Sequence, residues 1–283
     1  MPDRQRQMAT PTTCGRRVGL IELRYCCVMD LLADARIVMW EGGSLWVVDA
    51  IPKARQPRTE PHAHHAIQVT LAMGGHIRFL ASELDMSGPA IAVASDAVHV
   101  FEATGLMAHL FIEPESRSGR IIARALLKGG PLAAVPSALV ADLAERIAAH
   151  FCSPTRDDDA LVELGRALID RLAGGATGDA PDLRVRKMIA LAASKIDGPV
   201  SLADVAEGGK LSASRLRHLF VEQTGLPFRT YLLWLRLTRA LACIAAGAPL
   251  TRAAHEGGFA DSAHFSRTFK RMFGITPASL RIT

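Results

Sequence analysis

The chain has 283 residues, of which 49% are apolar and 22% charged, with a formal net charge of +5. That length and apolar share suffice for two domains with buried cores and exclude a wholly disordered chain. Five cysteines, Cys14, Cys26, Cys27, Cys152 and Cys243, are odd in number and make no C-x-x-C pair, which excludes a zinc knuckle or dithiol redox motif and suits reduced thiols in the cytoplasm.

In chain order, residues 1–34 carry no hydrophobic period. With Met29 and Met39 available as later starts, they are expected to be a disordered arm or an upstream start assignment. The apolar stretch from Val18 to Leu32 is broken by Glu22, Arg24 and Asp30, so the expectation is neither a signal peptide nor a membrane span, and no membrane partner. From 35 to 115, short apolar runs (Ser44 to Ala50, Ala66 to Ala72, His76 to Leu80, Ala90 to Ala94, His109 to Ile112) alternate with turn formers such as Gly42, Gly43, Gly74, Gly75, Pro89 and Gly105. That pattern predicts an antiparallel β-barrel or sandwich. From 116 to 173 the period lengthens: Leu139, Leu143 and Ile147, then Leu161, Leu164, Leu168 and Leu172, recur every three or four residues. Each predicted helix has one apolar face, which suits either a dimer contact or packing on the barrel. Residues 174–182 are small and unperiodic and read as a linker, and everything from 183 to 283 is predicted to be helical.

Charge divides along the same line. From Leu183 onward fifteen Lys and Arg stand against six Asp and Glu, a net +9, while the preceding residues hold 18 basic and 22 acidic side chains, a net −4. Only the C-terminal part has the balance of a polyanion binder.

That part is internally repeated. Leu216, Phe220 and Gly225 recur as Phe265, Phe269 and Gly274 at an offset of 49, and upstream Leu202, Val205, Ala206 and Leu211 recur as Leu250, Ala253, Ala254 and Phe259 at an offset of 48. Each copy reads as helix, tight turn, helix. Ser201 with Asp204 makes a capping box, Ser212 and Asp261 are placed to cap the second helices, Thr276 precedes Pro277 at a helix start, and Gly258 suits a left-handed turn. Small Ala206 and Ala254 fit a close helix crossing. Between the copies, 228–246 predicts one helix of about 28 Å, long enough to set two recognition helices about one DNA turn apart.

The stretch from Gly258 through Phe259, Phe265, Arg267, Phe269, Lys270, Arg271, Phe273, Gly274, Thr276 and Pro277 to Arg281 closely resembles the signature of the AraC/XylS family of transcriptional regulators, and the resemblance runs from about Val185 to Arg281. It implies a multidomain α+β protein: an N-terminal cupin-like sensor barrel with a helical connection, then an all-α DNA-binding domain with two helix-turn-helix motifs. It further implies a double-stranded DNA operator, a small-molecule effector, contact with RNA polymerase and homodimerisation. By the same resemblance, the groove-facing positions are Ser214, Arg217 and His218 with Arg215 beside them, and Ser262, Ala263, Ser266 and Arg267 with His264 beside them; Lys270 and Arg271 would meet phosphates. An arginine is suited to a bidentate bond with guanine O6 and N7. The first copy departs from the family at Lys210, where a turn glycine is usual, which puts its turn geometry in doubt.

In the sensor part, His62, His64 and Gln68, followed by His99, keep the order of the two cupin motifs, H-x-H-x(3,4)-E and a distant histidine, with glutamine in place of the glutamate and with Ala94 and Asp96 where proline and glycine are usual. Residues of one parity on a strand face one way, so these four are expected around a barrel interior. Three readings stay open: an effector pocket or plain packing, a divalent transition-metal site weakened by the missing carboxylate, and a metal-dependent cupin enzyme with an accessory DNA-binding domain. No second acid or base accompanies the motif, so no catalytic residue is assigned.

Overall fold

The computed structural model of the protein describes residues 33–50, 58–174, 180–196, 198, 201 and 212–282. The arm expected before residue 33, the middle of the linker and the first copy's Asp204, Ala206 and Lys210 lie outside them. Nine strands are described: β1 (Ala33–Trp40), β2 (Gly43–Ala50), β3 (Ile67–Ala72), β4 (His76–Ala81), β5 (Leu84–Ser87), β6 (Ala90–Val93), β7 (Val100–Ile112), β8 (Leu132–Ala134) and β9 (Leu280–Ile282). They pair in the order β8-β6-β3-β7-β2-β1-β9, with β4 and β5 attached through β7. β7 organises this arrangement: Val100 to Thr104 pair with β4, and Gly105 to Ile112 pair with β2. Gly105, at φ +73°, stands at the switch, where a Cβ would come within 2.9 Å of the Gly74 carbonyl oxygen.

β2 is buried on both faces, which explains its uninterrupted apolar run. Leu45 and Val47 face a core closed by α2 (Ala141–Cys152) and α3 (Asp158–Ala173), while Trp46 and Val48 face the other way. The apolar faces at Leu143 and Ile147 and at Leu161, Leu164, Leu168 and Leu172 are therefore covered by the chain's own sheet, not left for a dimer contact. α3 lies so near β1 that a Cβ on Gly165 would sit 2.4 Å from the Trp40 ring. α1 (Arg117–Ile122) precedes them and runs into a π-helical turn at Ala123–Leu127.

The C-terminal part contains α4 (Leu183–Ser194), α5 (Ala213–Thr224), α6 (Phe228–Ala245), α7 (Leu250–Glu256) and α8 (Ser262–Phe273). It is not wholly helical. Its last residues form β9, which pairs in parallel with β1, and the Arg281 guanidinium binds the Asp34 carboxylate through two nitrogens. No described helix is long and apolar enough to cross a membrane.

One apolar core runs through both parts: Trp46 and Phe111 from the sheet pack with Trp234, Phe265, Phe269 and Phe273 from the helices. The Trp46 ring stacks on Phe269 at 6.4 Å and meets Phe273 at 4.9 Å between centroids. A buried polar link runs beside it. His65 Nε2 donates to Glu115 Oε2 at 3.1 Å, and the Tyr231 hydroxyl on α6 donates to Glu115 Oε1. Burial opposes charge on His65, yet the hydrogen bonds and charges of Asp96 and Glu115 outweigh it and push its pKa up to about 9. Burial likewise opposes a charged Glu115, and His65 and Tyr231 together hold that carboxyl below its usual range. His65 and Glu115 are thus a buried ion pair, with a tyrosine from the other part on its second oxygen.

Removing one charge of such a pair strands the other, so Glu115→Gln is expected to lower the unfolding free energy by about 3 kcal/mol, and Tyr231→Phe by about 1–3 kcal/mol. Urea denaturation measures both. A Glu115→Gln protein as stable as wild type would show that the pair contributes nothing net.

Candidate nucleic-acid interface and histidine cluster

The two repeat copies end in helices built alike. α5 starts at Ser212, whose Oγ accepts from the Arg215 amide at 3.3 Å, and α8 starts at Asp261, whose Oδ1 accepts from the His264 amide at 2.6 Å. Both stop at a left-handed glycine, Gly225 at φ +80° and Gly274 at φ +70°. Leu216 and Phe220 are buried in the first, Phe265 and Phe269 in the second, which is the 49-residue repeat expressed as packing. α7 closes on α6 through Gly257, where a Cβ would lie 2.8 Å from Ala240 Cβ, and Gly258 supplies the left-handed turn at φ +72°.

The opposite faces point outward. Ser214, Arg217 and His218 are exposed on α5 along one stripe, with Arg215 exposed to its side. On α8 Ala263, Arg267 and Arg271 are exposed, and Ser262, Ser266 and Lys270 are half-buried. His264 leans edge-on against Phe259 at 5.2 Å, so its ring is committed to the turn. Lys270 Nζ lies 2.7 Å from Glu60 Oε1, a residue for which the sequence carried no signal. The same Glu60 donates its amide to the Gly274 carbonyl at 2.9 Å, and a Cβ on Gly274 would stand 2.5 Å from the Glu60 oxygen and 2.6 Å from His62 Nδ1. On α5, Arg120 donates to Gln223 Oε1 at 2.8 Å. The N-terminal part thus holds both second helices by their C-terminal turns.

The histidines are not arranged as strand parity predicted. His62 and His64 precede β3 on irregular chain, and His62 faces His99 as an isolated antiparallel bridge that exchanges both backbone bonds, at 3.0 and 2.9 Å. The three rings nevertheless converge, with one nitrogen of each within 4.8 Å of the others. Gln68, on β3, is outside that trio: its amide spans His64 Nε2 and Thr70 Oγ1, each at 2.8 Å, and His109 Nδ1 at 3.1 Å. Burial, with repulsion from neighbouring imidazoles, holds His62 down to about 4, His109 to about 3 and His99 to about 2, and burial lowers His64 as well. Missing from the sequence reading were His65, Glu115, Tyr231 and His109. Only His65 had a signal there, its opposite parity to His62 and His64.

Beside the cluster is a cavity of about 100 Å³, lined by Trp46, Val48, Met107, His109 and Phe111 of the sheet and by Phe273 and Leu280 of the C-terminal part.

A helix-turn-helix domain profile matches residues 205–282. The C-terminal part of the chain is a helix-turn-helix domain of the AraC type. Among its relatives, a transcriptional activator RhrA of Rhizobium meliloti is 32% identical over 88 residues, 30% of this chain and 28% of that protein. An HTH-type transcriptional activator RhaS of Escherichia fergusonii is 35% identical over 101 residues, 35% of this chain and 36% of that protein. The chain therefore matches about a third of these relatives' length. Over most of the chain the fold is like that of ToxT from Vibrio cholerae O395, with a TM-score of 0.54, 13% identity and coverage of 87% of this chain and 96% of that one. The AraC-type domain thus sits behind an N-terminal sheet in a two-part α+β layout.

Gly274→Ala would force a methyl into the Glu60 carbonyl and impose a left-handed alanine, so it is expected to lower stability by about 2 kcal/mol or more. Thermal denaturation checks this, and an unchanged melting temperature would show that the contact between 59–62 and α8 is loose.

Proposed function

We propose that the protein is a sequence-specific DNA-binding transcriptional regulator, not an enzyme, acting in the cytoplasm under control of a small effector. The observation that carries the reading is the pair of like-capped helices, α5 and α8, each burying the same repeat positions and presenting the opposite stripe, within an AraC-type domain of net charge +9 from residue 183 onward. Ser214, Arg217 and His218, with Arg215 beside them, and Ser262, Ala263, Ser266 and Arg267, with the His264 ring beside them against Phe259, form the major-groove face; Lys270 and Arg271 contact phosphates. Because Glu60 pairs with Lys270 here, the N-terminal part competes with DNA for that ammonium. α6, with 18 residues or about 27 Å, spaces the two readers.

The effector belongs in the cavity between Trp46 and Phe273, because a ligand there touches both parts and so has a differential affinity for their two arrangements, the only way it can shift DNA binding. A mainly apolar lining with polar groups from Arg58, His62, Gln68 and His109 suits a small, largely apolar molecule with a polar or acidic end. ToxT structures are described as bound to an unsaturated fatty acid and to (E)-4-(8-methylnaphthalen-1-yl)but-3-enoic acid, apolar acids of that general kind. RNA polymerase contact and homodimerisation belong to the same proposal, the latter through surfaces other than the buried faces of α2 and α3. The domain limits are proposed as 35–115 for a cupin-like sensor, 116–173 for the helical connection and 183–283 for DNA binding.

In fluorescence anisotropy with the full chain, Arg217→Ala and Arg267→Ala are each expected to lose about 1–3 kcal/mol of discrimination at one base pair, whereas Lys270→Ala weakens all sequences alike. Uniform losses for both arginine variants would contradict their role as readers. For the effector, a thermal-shift screen of small apolar acids should give compounds that raise the melting temperature of wild type but not of Ala103→Phe, which fills the cavity. Compounds that stabilise both equally bind elsewhere and would refute the placement.

A further inference from the structure

A second cavity, of about 390 Å³, opens between the β1–β2 turn and the helices α4 and α6. Of the described residues, Phe111 is the one whose side it shares with the cavity between Trp46 and Phe273. Its walls are mainly apolar, with Trp40 from β1 and Trp234 and Leu235 from α6, but two carboxylic acids also line it, Glu41 and Glu113. The turn brings them together, because the Glu113 amide donates to the Gly42 carbonyl at 3.1 Å. Glu41 is exposed and Glu113 is half-buried. Among the described residues the Glu113 carboxyl has neither a hydrogen bond nor an ion pair. Burial first, then repulsion from Glu115, push its pKa up to about 7; attraction to His65 does not offset this, and Glu41 adds to it. Arg239 lines the cavity as well, but it is engaged by an interaction of its own and is not among the charges acting on Glu113. Trp234, 5% exposed in the same wall, has no acceptor for its Nε1–H. The wall therefore holds an acid without a cation and a donor without an acceptor, each held away from water at a cost that a bound molecule would relieve.

We propose that this cavity is a second ligand site, which takes a small organic amine whose ammonium group lies against Glu113 and Glu41 and whose apolar body packs between Trp40 and Trp234. An ammonium supplies the charge that Glu113 lacks, and its binding favours the ionised carboxylate over the neutral acid. Indole is the strongest aromatic partner for a cation, so the two tryptophans suit an ammonium and the methylene groups next to it. Size agrees, since a cavity of about 150 Å³ already takes a benzene ring, and the larger space here admits a ring with a short aminoalkyl chain. An anionic ligand is disfavoured, because it would be placed against two carboxyl groups. Its ligand would touch the β1–β2 turn, Ala193 of α4 and Leu235 of α6 together, and so would stabilise the arrangement of the two parts described above. The site differs in place and in charge preference from the effector cavity and does not rest on that reading.

The test titrates the full chain calorimetrically with tyramine and phenethylamine, and with tyrosol and 4-hydroxyphenylacetate, which keep the ring of tyramine but replace its amine by a hydroxyl or a carboxylate. Saturable binding of at least one amine, with a Kd below about 1 mM, is expected. Tyrosol and 4-hydroxyphenylacetate should bind at least about tenfold more weakly than tyramine, a comparison that needs no substitution. Glu113→Gln keeps the shape of the side chain, so it should lose at least about tenfold in amine affinity while melting no lower than wild type. Ala103→Phe, which fills the other cavity, should bind the amine as wild type does. No binding of either amine, tyrosol binding as tightly as tyramine, or unchanged affinity in Glu113→Gln overturns the proposal. Loss of the amine in Ala103→Phe with retention in Glu113→Gln places it in the effector cavity and overturns the proposal too. Operator binding is measured separately, so failure of this site and failure of the regulator reading are told apart.

Discussion

Everything else in the molecule depends on the sheet and the second helix-turn-helix unit sharing one apolar core. Trp46 projects from β2 against Phe269 and Phe273, the two aromatic residues that also fix α8 within its own unit. A side chain buried in such a core is felt at the scale of a methylene group, because the packing has no slack to absorb displacement. The inward face of α8 is thus continuous with the wall of the cavity, while its outward face carries Arg267. A change of contents in the cavity has a short mechanical route to a helix bearing candidate base contacts.

Polar contacts set the geometry that the core alone would leave loose. The His65–Glu115 pair with Tyr231 ties the start of the sheet region to α6, Arg120 holds the last turn of α5, and Glu60 holds the last turn of α8. Buried charges are costly unless fully partnered, so the first of these is either made completely or not made. That property suits a joint between two arrangements better than a graded attraction would. Exposed Glu60 and half-buried Lys270, by contrast, form a weak contact that salt and phosphate can displace.

Much of this was legible in the sequence where periodicity and caps carry information. The run from Ser44 to Ala50 became a strand buried on both faces, and the helix expected over 228–246 is α6, from Phe228 to Ala245. The 49-residue offset predicted which residues share a burial environment because a repeat preserves packing. The faces of α2 and α3 were legible as apolar, but amphipathicity states that a face is covered and not by what; here the sheet covers them. β9 was missed because Leu280 to Ile282 is too short to show alternation and owes its form to the β1 edge. The histidines were found by motif, yet their convergence comes from irregular backbone ahead of β3, which no strand rule describes. Glu60 left no trace, since complementarity between two surfaces is not written as a period in either.

The claim at the centre of this account is that two helices on one chain read DNA together, spaced by α6. Selection of DNA from a random pool by the full-length protein, followed by sequencing, tests it most directly. Two short conserved elements with centres about 10 base pairs, or one helical turn, apart are expected. A single short element, or no enrichment over the starting pool, would contradict it.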